Sequence, residues 1–241
     1  MDIITSQVIT ILFLATLIRS AFGFGEALIA VPLLAFIISV EVAAPVAALV
    51  SVTVAAIIIL QDGQDVHFRS AGWLVLSTFF GIPAGLLLLT TTAESVVKTI
   101  LAAVIIGFSV YSLVNRHHYA LKDDRWAWVF GFSAGVLGGA YGMNGPPLVI
   151  YGGLRRWTPV HFRATLQGYF LPASGLVMLG YWQAGLWTSE VNRYYLLSLP
   201  VVLAAIFLGR MVNRKLKSGR FLLYIHGGLI LAGLLLLFSI G

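Results

Sequence analysis

The chain has 241 residues, of which 59% are hydrophobic and only 10% charged, with a net charge of +6 and no cysteine. A soluble domain of this size carries about a quarter of its residues as charged groups, so most of this surface is built for lipid. The lack of cysteine excludes disulfides, thiolate metal sites and cysteine catalysis. The basic residues lie in short loops beside apolar runs, without the aromatic-studded basic face of a nucleic-acid module, so no nucleic-acid partner is expected.

The N-terminus carries Asp2 where a signal peptide has a basic region, and no A-x-A site follows its apolar run. It reads as a retained first helix. Apolar runs long enough to cross a bilayer then recur at 3–22, 43–60, 72–90 and 97–114, and again at 126–140, 163–182, 194–209 and 221–239. Two shorter apolar pieces, 27–39 and 146–153, each follow a glycine-rich interruption. The expected fold is an all-α polytopic membrane protein forming one transmembrane domain over 1–241, with one repeat at about 1–115 and a second at about 124–241.

Matching segments carry the duplication. Ala21-Phe22-Gly23-Phe24 parallels Ala140-Tyr141-Gly142-Met143, and Gly81 to Gly85 parallels Ala205 to Gly209, both with small residues four apart. Such spacing lets helices approach closely in lipid. Within Tyr141-Gly142-Met143-Asn144-Gly145-Pro146-Pro147 two prolines remove two backbone donors. Non-helical backbone at membrane depth survives only inside protein or beside a wet cavity. The first helix of each repeat is therefore expected to be broken, or re-entrant, at its glycine segment.

Loop charge separates two topologies. With eight crossings, nine basic residues (Lys98, Arg155, Arg156, Arg163, Arg210, Arg214, Lys215, Lys217, Arg220) oppose five (Arg69, Arg116, Lys122, Arg125, Arg193). With two re-entrant hairpins, one side keeps only Lys98 and Arg193. The stronger bias favours hairpins and inverted repeats, with both termini outside the cytoplasm. Such repeats place a transport site where discontinuous helices meet.

The segments Gly23-Phe24-Gly25-Glu26-Ala27-Leu28-Ile29-Ala30-Val31-Pro32-Leu33 and Gly138-Gly139-Ala140-Tyr141-Gly142-Met143-Asn144-Gly145-Pro146-Pro147-Leu148 resemble those of the TauE/SafE family of sulfite and organosulfonate exporters. Many members have a third glycine where Glu26 stands. The resemblance implies a permease of the cell membrane for small sulfur-containing anions.

The candidate substrate-binding residues are Arg19, Phe22, Gly23, Gly25, Glu26, Tyr141, Gly142, Asn144, Gly145 and Gln167. Arg19 lies inside an apolar run, where charges mark substrate pathways. A guanidinium donates two parallel hydrogen bonds to an oxyanion; its structural alternatives are a bond to Glu26 or snorkelling to the interface. Glu26 is either a helix-start carboxylate or a proton carrier, since burial favours the neutral acid. Asn144 either binds substrate or satisfies freed backbone groups. Pro146 and Pro147 suit a first helical turn, as does Pro159 after Thr158, and helix-start amides attract anions. Gln167 and Thr165 are candidates for the cavity or for a neighbouring helix. Arg155, Arg156 and Arg163 read as topology determinants that also draw anions toward an entrance. His226 reads as a packing residue before a proton relay, and His67, His117 and His118 form no ligand set. Trp73, Trp126, Trp128, Trp157, Trp182 and Trp187 fall near span ends, as interfacial belts require.

No Walker loop, H-E-x-x-H or G-x-S-x-G motif occurs, so neither ATP hydrolysis nor enzyme activity is expected, and no cofactor or metal. The expected function is a secondary transporter for sulfite, a sulfonate or a related oxyanion. An anion channel and a carboxylate transporter are the alternatives.

Overall fold

A computed structural model describes residues 2–62, 68–114, 121, 123, 125–213 and 219–238. His67, His117, His118, Arg116, Lys122, Arg214, Lys215 and Lys217 lie outside the described residues, as do the side chains of Arg69, Arg163, Gln167 and Arg220. The regular structure of the described residues is all α-helix: α1 (Ile3–Phe22), α2 (Glu26–Leu34), α3 (Val40–Asp62), α4 (Phe68–Thr91), α5 (Glu94–Val114), α6 (Ala127–Tyr141), α7 (Gly145–Leu154), α8 (Pro159–Gln183), α9 (Ser189–Asn213) and α10 (Gly219–Phe238). Among the described residues, five segments are long and apolar enough to cross a membrane: Ile3–Phe22, Val40–Leu60, Ala71–Thr91, Glu94–Val114 and Ser189–Val212. Phe79, Phe80, Leu87, Leu196 and Phe207 point outward from these helices, an arrangement that lipid rewards and water does not.

Helix ends follow the glycines. α1 stops because Gly23 turns left-handed, at φ 89°, while its N–H still donates to the Arg19 carbonyl. α6 stops at Gly142, φ 62°, and Met143 N–H donates back to the Leu137 carbonyl, the six-residue closure of a Schellman ending. Gly25, φ 98°, precedes α2. Left-handed backbone costs non-glycine residues about 1–3 kcal/mol, which explains glycine at these three places. Pro146 and Pro147 occupy the first turn of α7, where a missing N–H costs nothing. Pro159 likewise opens α8.

Two helix pairs run parallel in close contact. Along α4 and α6, a Cβ on Gly85 would lie 2.1 Å from the Val136 carbonyl, and one on Gly135 would lie 2.3 Å from the Thr78 carbonyl. Only glycine allows that approach. Along α1 and α9, Arg193 pairs with Asp2 at 3.2 Å at one end. At the other end a Gly209 Cβ would lie 2.6 Å from the Leu17 carbonyl and 3.2 Å from Ala21 N. Gly85 meets Val136 and Ala140, while Gly209 meets Leu17 and Ala21: these are the positions that the sequence matches place opposite each other.

Directions follow from further contacts. Gly142, at the end of α6, abuts Ala44 and Ala48 near the start of α3. Tyr181, near the end of α8, donates to the Gly138 carbonyl at 2.9 Å. Tyr141 donates to Val97, near the start of α5, at 2.9 Å. On α10, Gly233 meets Ile105 and Ile106, and His226 meets Phe108, so α10 runs against α5. The starts of α1, α3, α5 and α9 therefore share a face with the ends of α4, α6, α8 and α10.

Candidate functional site

The two gaps, Gly23–Gly25 and Gly142–Asn144, open onto one small hollow. It is lined by Arg19, Phe24, Gly25, Glu26, Ala27 and Leu28 from the first half, with Ser51 of α3. Gly142, Met143, Asn144, Gly145, Pro146 and Phe170 complete it from the second. About 20 Å³ is open to water centres, room for roughly one water molecule.

Arg19 dominates its chemistry. The residue is 2% exposed, and its Nη1 donates to Glu26 Oε2 and, at 2.7 Å, to Ser51 Oγ. Ser51 Oγ in turn lies 3.2 Å from Ser174 Oγ of α8. Thr16 Oγ1 donates to the other Glu26 oxygen at 3.1 Å. The Phe170 ring covers the guanidinium at 4.9 Å, a favourable stacking of cation on ring face. Nε and Nη2 have no acceptor among the described residues. A buried donor without a partner costs about 1–3 kcal/mol, so this edge of the fork is the least satisfied feature of the hollow.

Backbone donors are unequal on the two sides. The first bond inside α2 runs from Ile29 N–H to the Gly25 carbonyl, so the amides of Glu26, Ala27 and Leu28 have no intrahelical acceptor. The first turn of α7 contains two prolines without N–H groups, leaving that side fewer donors than a helix start usually offers. Asn144 is buried at the position before α7 and makes no side-chain cap bond.

The hollow thus gathers Arg19, Gly25, Glu26, Gly142, Asn144 and Gly145. Phe22 faces a neighbouring apolar pocket with Ile18, Ile225 and His226. Gly23 shapes the turn without lining the hollow, and Tyr141 directs its hydroxyl to α5. The residues that sequence reasoning missed are Thr16, Ser51, Ser174 and Phe170. Ser51 and Ser174 had a signal, since each is a polar residue midway along an apolar run. Phe170 had none, being one aromatic among many. His226 is buried against Phe108, and Thr165 is buried nearer the start of α8; among the described residues neither the His226 Nδ1 nor the Thr165 hydroxyl has a partner.

The fold and the hollow together are a bundle of apolar helices enclosing a buried, half-satisfied cation. The sequence profile of the sulfite exporter TauE/SafE family matches residues 8–236. The chain belongs to that family, and it is therefore a multi-pass membrane transporter and not an enzyme. It is also 25% identical to a probable sulfite/organosulfonate exporter TauE of Cupriavidus necator, over 196 residues that cover 79% of this chain and 76% of the relative. No solved structure matches.

Proposed function

We propose that the protein is a secondary permease for a small oxyanion, sulfite or an organosulfonate, which binds the free Nε–Nη2 edge of Arg19. The single observation that carries this reading is that buried two-donor edge. A tetrahedral or pyramidal oxyanion accepts both hydrogen bonds at once. The amides at the start of α2 and the amide of Asn144 line the same hollow and, on this reading, donate to its remaining oxygens, with Gly25, Gly142 and Gly145 leaving room for them. The relative's name, with its sulfite and organosulfonates, agrees with this choice.

The two halves act as inverted repeats. Support comes from the matched Gly85 and Gly209 contacts and from the helix directions. α1 and α3 start at one face while α6 and α8 start at the other, so α2 and α7 each return the chain as a re-entrant hairpin. Arg125, Arg155, Arg156 and Arg210 lie toward the face opposite Lys98 and Arg193, which makes it cytoplasmic and puts both termini outside. Because the hollow holds about one water, an oxyanion enters only when surrounding helices move, which favours an alternating-access carrier over an open channel.

The test is counterflow in liposomes. Labelled sulfite, methanesulfonate and small carboxylates are offered to vesicles containing the purified protein. Saturable exchange of the sulfur oxyanions, strongly weakened in Arg19→Lys, is expected. Equal exchange by wild type and Arg19→Lys removes Arg19 from the site, and preference for carboxylates over sulfonates reassigns the substrate.

A further inference from the structure

Arg19 and Glu26 form a buried pair that is neutral before any ligand arrives. A monoanion on the free edge of Arg19 leaves the hollow with one uncompensated negative charge. Among the described residues, the surroundings of Glu26 do not balance it. α1 contributes Arg19 and Thr16, α3 contributes Ser51, and α7 and α8 bring Asn144, Phe170 and Ser174. On α5, Glu94 and Lys98 pair with each other at 3.2 Å, and Glu41 of α3 lies beside Glu94 in a separate pocket. α10 offers His226, across the apolar pocket that shares Phe24, Gly25 and Leu28 with the hollow. An unpaired charge buried among apolar helices is strongly unfavourable.

Resting on the anion reading above, we infer that the protein carries one proton with each monoanion, and that the Glu26 carboxylate is its carrier. On the side to which the hollow opens, hydronium gives a proton to a Glu26 oxygen and becomes water; no bond in the substrate changes. The protonated acid weakens its hold on Nη1, and its new O–H donates to the incoming oxyanion. Arg19 then exchanges an internal anion for an external one. The empty hollow (Arg19 with ionised Glu26) and the loaded one (Arg19, anion and protonated Glu26) are both neutral. Only these two states cross. The gradient of the acid, rather than the membrane potential, sets the direction of net movement.

Methanesulfonate tests this because it stays ionised at every working pH, so any proton moved with it is moved by the protein. Vesicles with equal methanesulfonate on both sides are held at zero potential with potassium and valinomycin, and a gradient of about one pH unit is imposed; the expected limit is then about tenfold accumulation on the alkaline side. His226→Gln is expected to accumulate like wild type. Glu26→Gln is expected to exchange methanesulfonate at a measurable, altered rate and to lose the pH-driven accumulation. Should Glu26→Gln fail to fold, Glu26→Asp is the second variant: it keeps accumulation, and its indifference to pH overturns the assignment. Wild type that ignores the pH gradient and follows an imposed potential, approaching about 50-fold at 100 mV, overturns coupling while leaving the anion permease intact. A pH response that survives in Glu26→Gln, or vanishes in His226→Gln, overturns Glu26 as carrier. Vesicles that move no oxyanion under any condition overturn the permease reading and this inference with it.

Discussion

Arg19 is anchored through one nitrogen and presents two others. Its anchors, Glu26 and Ser51, come from different helices, so the guanidinium is held in place before a ligand arrives. The pair is structural, and on the proposed reading also functional, and the two roles separate by mutation. Arg19→Gln leaves an ionised carboxylate buried without its partner and is expected to destabilise the protein by about 3–5 kcal/mol. The Arg19→Gln/Glu26→Gln double variant is expected to recover most of that loss. Thermal unfolding in detergent reads both, and a double variant no more stable than the single one contradicts the pairing. Among glycines, Gly25→Ala adds a methyl to open space and costs only its left-handed backbone, about 1 kcal/mol. Gly142→Ala carries the same strain and also drives a methyl to 2.7 Å from the Ala44 carbonyl. It is expected to be clearly the more damaging, and equal losses contradict the packing at Gly142.

At the scale of elements, apolar runs predicted the helices well because lipid demands internal hydrogen bonding of every span. The predicted run 3–22 coincides with α1, and 97–114 falls inside α5. Ends were harder where polar residues extend a helix past its apolar stretch: α9 begins at Ser189, five residues before the run at 194–209, because Glu190 and Arg193 reach the boundary of the bundle. Within the site, the bond from Arg19 to Glu26 was legible, since two lone charges flank a glycine break. The Ser51–Ser174 contact was not, because it joins α3 to α8 across the bundle and no local pattern announces a long-range crossing. The α4–α6 interface yields its own prediction. Gly85→Ala is expected to separate the two helices and lower stability by about 2 kcal/mol or more, because a Cβ there meets backbone at 2.1 Å. Gly107→Ala, with nothing within 4 Å, is expected to be neutral or up to about 1 kcal/mol stabilising through helix propensity. Equal effects of the two changes contradict the close parallel packing.

At the scale of the whole molecule, the proposed inverted arrangement of the two halves gives the bilayer two differently charged surfaces. Because the chain lacks cysteine, single-cysteine labelling reads that arrangement without background. Thr188→Cys, between α8 and α9, is expected to react with a membrane-impermeant maleimide on intact cells. Asp123→Cys, between α5 and α6, is expected to react only after the cells are opened; the reverse pattern inverts the topology. Both halves surround the same cation, and everything proposed about transport depends on its unoccupied edge. The most direct measurement is therefore the equilibrium affinity of the purified, folded protein for methanesulfonate and sulfite, wild type against Arg19→Lys. Lysine keeps the charge but loses the planar fork, so the dissociation constant is predicted to rise about tenfold or more; an unchanged constant in a folded Arg19→Lys protein contradicts the account.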